Sequence, residues 1–186
     1  MMNILNMYNI YKCIVYKDII LNDWFLVMTK YERNLWTFLS EKSCSSFNMT
    51  ERFNLTIDLC LEVEKVHEEC LVQRDIKPTN IMINANGEIT LVDFGIGNIV
   101  GDLQGSYGTP GFLAPEQFSR DKQNEKVDIW ALGKVIVLII FEWRSAWQLL
   151  WAPKFLTSAE IRSLGSLSKI FDLVKEMIEV NLKINL

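Results

Sequence analysis

The sequence has few residues that could bind a transition metal. It contains one histidine and four cysteines in 186 residues, and the cysteines are Cys13, Cys44, Cys60 and Cys70. None of them forms a Cys-x-x-Cys pair, so a zinc site is not expected. The N-terminus also lacks the basic region and cleavage site of an export signal. Reduced thiols are typical of such a sequence, and we expect a cytoplasmic or nuclear protein.

A block of basic residues and a long apolar run are also absent. The 19 lysines and arginines are outnumbered by 23 aspartates and glutamates, which gives a net charge of −4. This balance provides no general attraction to nucleic acid or to an anionic membrane, and neither is expected as a partner. The most apolar stretch, residues 135–141, is far shorter than the roughly 20 residues of a membrane span. We expect it to be a buried helix.

Strand signals concentrate in two parts of the chain. Apolar, β-prone runs at 14–16 and 24–28 predict a strand pair. Ile-Met-Ile at 81–83 and Ile-Thr-Leu-Val at 89–92 flank Asn-Ala-Asn-Gly, which is typical of a β-hairpin.

Helix signals occupy most of the remainder. Between a serine-rich loop at 40–46 and the hairpin, Asn48 and Glu51 have the spacing of a capping box. The helix that follows would bury one apolar stripe: Leu55, Leu59, Val63, Val66 and Cys70. A loop is expected at 95–110, and a further amphipathic helix within 157–178. The predicted fold class is α+β.

Four short segments carry residues suited to chemistry. They are Gln-Arg-Asp-Ile-Lys-Pro-Thr-Asn at 73–80, Asp-Phe-Gly at 93–95, Gly-Thr-Pro-Gly-Phe-Leu-Ala-Pro-Glu at 108–116, and Asp-Ile-Trp-Ala-Leu-Gly at 128–133. A tight hairpin returns the chain to its starting point, so Asp93 is expected beside Asn80. A carboxylate and an amide oxygen at one place suit Mg²⁺. Asp75 is expected to stay free to orient or accept a hydroxyl proton.

Each segment alone has a plainer interpretation as a turn, a helix cap or a solvated surface pair. All four in this order resemble the eukaryotic protein kinase family, in its serine/threonine branch. The resemblance runs from about residue 10 onward. It implies a mainly helical large lobe over 32–186, preceded over 1–31 by a remnant of a β-rich small lobe that ends in the hinge.

The resemblance implies catalytic roles for residues at the matching positions. Asp75 would be the catalytic base that positions a protein hydroxyl, and Lys77 would steady the γ-phosphate of ATP. Asn80 and Asp93 would bind Mg²⁺. Asp128 would hold the catalytic loop through its backbone amides, or cap the apolar helix.

It also implies a nucleotide site. Met28 would end the strand before the hinge. Thr29, Lys30 and Tyr31 would form that hinge, whose backbone meets the adenine ring. Met82 would lie below the ring.

On the substrate side, Thr109 would lie in the loop that receives the residue after the target hydroxyl. Arg74 would receive a phosphate on the activation loop, where Ser106, Tyr107 and Thr109 are the available hydroxyls. Gln73 replaces the usual histidine beneath the Asp-Phe-Gly phenylalanine, Phe94, and a weaker active alignment is expected there.

The main departure lies near the start of the chain. No Gly-x-Gly-x-x-Gly or Val-Ala-x-Lys precedes Asp75. Lys12 and Lys17 lie too close to the strand that ends at Met28 to replace the lysine of the second motif. The expectation is therefore a kinase that lacks most of its small lobe, is weak or inactive as an isolated chain, and exposes strands that a partner could complete. The alternative is a pseudokinase that binds proteins without catalysis. A small-molecule kinase is disfavoured by the Gly-Thr-Pro-Gly and Ala-Pro-Glu segments.

Overall fold

The computed structural model of the chain describes residues 14–17, 20, 23–41, 46–100, 105, 107–118, 123–141, 172 and 176. The strands are β1 (Ile14–Lys17), β2 (Trp24–Val27), β3 (Arg33–Asn34), β4 (Leu71–Val72), β5 (Ile81–Ile83), β6 (Ile89–Leu91) and β7 (Asn98–Ile99). The helices are α1 (Leu35–Glu41), α2 (Met49–Glu68) and α3 (Lys126–Ile140), with short 3₁₀ helices at Pro78–Asn80 and Pro115–Phe118. Small antiparallel sheets beside long helices make this an α+β fold, as the sequence predicts.

The strands form three small antiparallel sheets, ordered β1-β2, β3-β5-β6 and β4-β7. Ile14 faces Val27 across the first sheet, which confirms the predicted strand pair. The predicted hairpin is also confirmed, since Ile83 faces Ile89 across β5 and β6. Its turn contains Gly87 at φ +84°, a left-handed conformation that glycine adopts without steric cost. The backbone of the hairpin therefore turns where the Asn-Gly signal places it.

Helix α2 begins at the predicted capping box. The backbone N–H of Glu51 donates to Asn48 Oδ1 at 3.0 Å, and the N–H of Asn48 donates to the Glu51 carboxylate at 2.8 Å. The predicted stripe is buried at Leu55, Leu59, Val63 and Val66. The prediction was wrong for Cys70, which is exposed, lies beyond the helix end and has φ +57°.

Helix α1 occupies residues for which the sequence predicted no helix. Asn34 Oδ1 accepts hydrogen bonds from the backbone N–H of Thr37 at 2.8 Å and from its hydroxyl at 3.0 Å, as a helix-capping side chain does. The loop predicted at 40–46 was therefore wrong for Ser40 and Glu41, which belong to α1. Similarly, the loop predicted at 95–110 contains the short strand β7. The helix predicted within 157–178 lies outside the described residues, apart from 172 and 176.

The centre of the core is the packing of α2 against α3. Every residue from 135 to 140 is at most 5% exposed, which confirms the predicted buried helix. Arg52 joins the two helices, since its guanidinium donates to the carbonyls of Phe47 at 2.9 Å and Ile139 at 2.6 Å. The second bond satisfies a carbonyl in the last turn of α3 that has no partner within the helix.

No helix in the described part of the chain combines the length and the apolar character needed to cross a membrane.

Candidate active site

The loop between β4 and β5 is anchored from below by one buried carboxylate. Asp128, which is fully buried in the first turn of α3, accepts hydrogen bonds from the backbone N–H groups of Gln73 and Arg74, both at 2.8 Å. His67 Nε2 lies 3.0 Å from the same carboxylate. Asp128 thus holds the loop through its amides as expected. It does not cap the helix, because the residue at the cap position is Glu125.

Two residues of the site have backbones in the left-handed region. Arg74 has φ +68° and Asp93 has φ +60°. For side chains other than glycine this conformation is uncommon, and it persists only where neighbouring contacts impose it. Here Asp128 holds the N–H of Arg74, and the Gln73 side chain holds the carbonyl of Asp93 at 3.1 Å.

The Asp75 carboxylate is the centre of a hydrogen-bond network. Its Oδ1 accepts from the Thr109 hydroxyl at 2.6 Å, and its Oδ2 accepts from Lys77 Nζ at 2.7 Å and Asn80 Nδ2 at 3.1 Å. Both oxygens are engaged by donors, and the expectation that Asp75 orients or accepts a hydroxyl proton stays a prediction. These donors fix the orientation of an acceptor group whose side chain remains 13% exposed.

The Lys77 ammonium links the loop that carries Asp75 to the segment that carries Thr109. It donates to Asp75 at 2.7 Å and to Thr109 Oγ1 at 2.7 Å. An ammonium has three N–H donors, so one remains for a ligand. The side chain is 22% exposed, which leaves this cation accessible from solvent.

The hairpin brings the end of β6 to Asn80. The backbone N–H of Val92 donates to the Asn80 carbonyl at 2.9 Å, so Asp93 follows directly on a residue bonded to Asn80. Asn80 uses its amide nitrogen for Asp75, leaving its amide oxygen as the ligand that it could offer to a metal.

Asp93 is exposed, and within the described residues no group of three or more histidine, cysteine, aspartate or glutamate side chains could hold a metal ion. One carboxylate and one amide oxygen suit Mg²⁺ as it binds together with nucleotide phosphates and water, rather than in an all-protein cage.

Thr109 is a contact of Asp75 that sequence reasoning missed, since it assigned this residue to substrate binding. The preceding residue explains how the segment approaches so closely. Gly108 has φ +128°, and a Cβ there would lie 2.8 Å from the Arg74 carbonyl. Only glycine fits this conformation and this contact, which leaves the next side chain facing Asp75. The Gly-Thr dipeptide was the available signal.

Residues 1–179 match the family described as protein kinase domain. The chain belongs to the protein kinase family. It is 29% identical over 160 residues to the serine/threonine-protein kinase shk2 of Schizosaccharomyces pombe, covering 79% of this chain and 25% of that protein. It is 28% identical over 174 residues to the serine/threonine-protein kinase pakA of Talaromyces marneffei, covering 80% of this chain and 26% of that protein.

A third relative is the cAMP-dependent protein kinase type 3 of Saccharomyces cerevisiae, which is 35% identical over 113 residues. That match covers 60% of this chain and 28% of the yeast protein. The chain spans about a quarter of the length of these three relatives. The names of the shk2 and pakA proteins support the serine/threonine branch that the sequence motifs indicate.

The Arg74 side chain of this kinase domain is tied to the segment around Gly105. Its guanidinium donates to the Gly105 carbonyl at 3.1 Å and to Gln123 Oε1 at 3.2 Å, and it lies 5.0 Å from the centre of the Tyr107 ring. Burial lowers the pKa of Arg74, while the Tyr107 and Asp128 charges act in the opposite direction. The expected phosphate binding by Arg74 stays a prediction, and Ser106 lies outside the described residues.

The predicted hinge lies between β2 and β3. Met28 and Lys30 are exposed and Tyr31 is half-buried. Asn34 pairs with Met82, so the segment that follows the hinge runs beside the residue predicted to lie below adenine.

A cavity of about 570 Å³ lies between the predicted hinge, α2 and the β5–β6 turn. Its lining includes five acidic residues: Asp58, Glu62, Glu68, Glu69 and Glu88. None of the residues around Asp75 lines it, and carboxylates repel phosphate. The cavity is therefore separate from the residues around Asp75, and it shares only Thr29 and Tyr31 with the predicted hinge.

Proposed function

We propose that this kinase domain transfers the γ-phosphoryl group of ATP to serine or threonine hydroxyls of protein substrates. The observation that carries the proposal is the network in which Thr109, Lys77 and Asn80 all hold one carboxylate, Asp75. A structural role alone would not require a lysine, an amide and a hydroxyl to converge on a partly exposed aspartate.

Asp75 orients the attacking hydroxyl and accepts its proton. An ionised carboxylate is an acceptor at both oxygens, and each oxygen has more than one lone-pair direction. Thr109 and Lys77 occupy some of these directions and fix the group, and a substrate hydroxyl takes a remaining one. The third N–H of Lys77 would steady the phosphate oxygens of bound ATP.

ATP supplies the transferred phosphoryl group, and Mg²⁺ neutralises the charge of its phosphates. In this chain, Asn80 and Asp93 would hold the metal ion. Their types fit a hard cation, since both offer oxygen ligands.

The adenine site and the lobes complete the proposal. Met28, Lys30, Tyr31 and Met82 would surround the adenine ring, through the hinge backbone and a side chain below the ring. Residues 1–31 would belong to the small lobe, and residues 32–186 to the large lobe. We assign the protein to the cytoplasm or nucleus, which the free thiols of Cys60 and Cys70 support.

The proposal is tested by incubating the chain with γ-³²P-labelled ATP, Mg²⁺ and casein as acceptor, followed by phosphoamino acid analysis. We expect weak label on serine or threonine, in agreement with the low activity expected for the isolated chain, and none when Mg²⁺ is removed by EDTA. Label on tyrosine would contradict the assignment to the serine/threonine branch. Binding of ATP without any transfer would favour the protein-binding pseudokinase instead.

A further inference from the structure

Gln73 links the two halves of the candidate site through one buried side chain. It is fully buried, and its Oε1 accepts a hydrogen bond from the backbone N–H of Asp75 at 2.7 Å. Its Nε2 donates to the carbonyls of Val92 and Asp93, both at 3.1 Å. One amide therefore joins the loop that carries Asp75 to the segment after β6 that carries Asp93, which lies 20 residues after Gln73.

We propose that Gln73 is a positioning residue that sets the placement of Asp93 relative to Asp75. None of the three side-chain hydrogen bonds is to a carboxylate, so Gln73 acts on the backbones of Asp75, Val92 and Asp93. The Asp93 backbone is in the left-handed region at φ +60°, which requires an external contact to hold it. Gln73 supplies that contact, and Asp128 fixes the backbone N–H of Gln73 itself at 2.8 Å.

The primary amide is matched to this place. Two carbonyl oxygens need donors, and one N–H needs an acceptor. Only an amide offers two N–H donors and an oxygen at the end of one side chain, and the three contacts assign which end is nitrogen. A thioether of similar length fills the volume without making these bonds, and a carboxylate presents oxygen to two carbonyls.

The test compares Gln73→Met, Gln73→Glu and Gln73→His at pH 7.5 by amide hydrogen exchange. The exchange of the Asp75 amide and of residues 93–97 is read against the exchange of α2 and α3, which reports global stability. Without an acceptor for its N–H, Asp75 should lose protection by about tenfold in Gln73→Met. The Glu variant should lose more in residues 93–97. The His variant should recover part of the protection, since neutral imidazole has one donor and one acceptor.

Gln117 provides a matched control. It is 2% exposed, and its side chain likewise accepts from one backbone N–H, of Ala114, and donates to one carbonyl, of Tyr107. Gln117→Met should lower the protection of amides around residues 107–114 and leave the exchange of the Asp75 backbone amide unchanged. Should Gln73→Met keep wild-type protection at Asp75 and residues 93–97, the side chain merely fills space and the inference is wrong. A uniform loss across α2 and α3 would also overturn it.

The consequence for metal binding rests on the proposed function and is read separately. We expect Mg²⁺-dependent ADP binding to weaken in Gln73→Met and to recover partly in Gln73→His. If the wild-type chain binds no Mg-ADP, the proposed function fails, while the exchange data still decide whether Gln73 holds the two segments. Equal Mg-ADP affinity in the wild type and Gln73→Met would contradict the positioning role.

Discussion

Asp75→Asn is expected to lower the rate of phosphoryl transfer by about a thousandfold, because a positioned general base contributes about 10²–10⁴ in rate. An asparagine cannot accept the hydroxyl proton as an ionised carboxylate does. Its NH₂ group would also point at one of two donors, the Thr109 hydroxyl or the Lys77 ammonium. The affinity for Mg-ATP should change little, because Asn80 and Asp93 are unaltered.

The measurement is the initial rate of labelled phosphate transfer at saturating ATP, with the Michaelis constant for ATP determined in parallel. Asp58→Asn is the matched control, since Asp58 is exposed on α2 and the chemical change is the same. Its rate should equal that of the wild type. A rate for Asp75→Asn above one tenth of the wild-type rate would show that Asp75 is not the base.

Asp128→Asn is expected to lower the free energy of unfolding by about 3 kcal/mol, since hydrogen bonds to a buried charged group contribute about 1.5–3 kcal/mol each. The carboxylate of Asp128 accepts from two backbone N–H groups and faces His67. An asparagine offers one oxygen to these groups and turns an NH₂ toward the others. The loop at 73–80 would lose its anchor together with part of the link between α2 and α3.

Urea unfolding followed by circular dichroism measures this loss. In a separate thermal unfolding experiment, the melting temperature should fall by about 9 °C, at about 3 °C for each kcal/mol in a chain of this size. The surface variant Asp58→Asn should unfold like the wild type. A change below 1 kcal/mol in Asp128→Asn would mean that the backbone amides of Gln73 and Arg74 find other partners, and that Asp128 is not the anchor.

Features with local signals could be predicted from the sequence. The capping box of α2 spans four residues, and the β5–β6 hairpin depends on an Asn-Gly turn between two apolar runs. The four motif segments are also local, which explains why the family could be recognised before the structure. The family resemblance of these segments implied that Asp128 would contact the backbone of the catalytic loop.

Features that depend on distant partners could not be predicted. Thr109 lies 34 residues from Asp75, and Gln73 lies 20 residues from the Asp93 carbonyl. No periodicity reports such contacts, because they depend on how the loops pack. Helix α1 is a different case. Its seven residues are too few to show a helical period. Strand β7 is two residues long and is defined only by its pairing with β4.

The claim that Asn80 and Asp93 form a working Mg-ATP site beside Asp75 is tested most directly by calorimetric titration of the chain with ATP, with and without Mg²⁺. The account predicts Mg²⁺-dependent binding that Asp93→Asn weakens by about tenfold or more, since even an outer contact of a metal site is worth about 10–100-fold in affinity. Asp58→Asn should bind as the wild type does. Equal binding of ATP by the wild type and Asp93→Asn, or no binding by the wild type, would contradict the account.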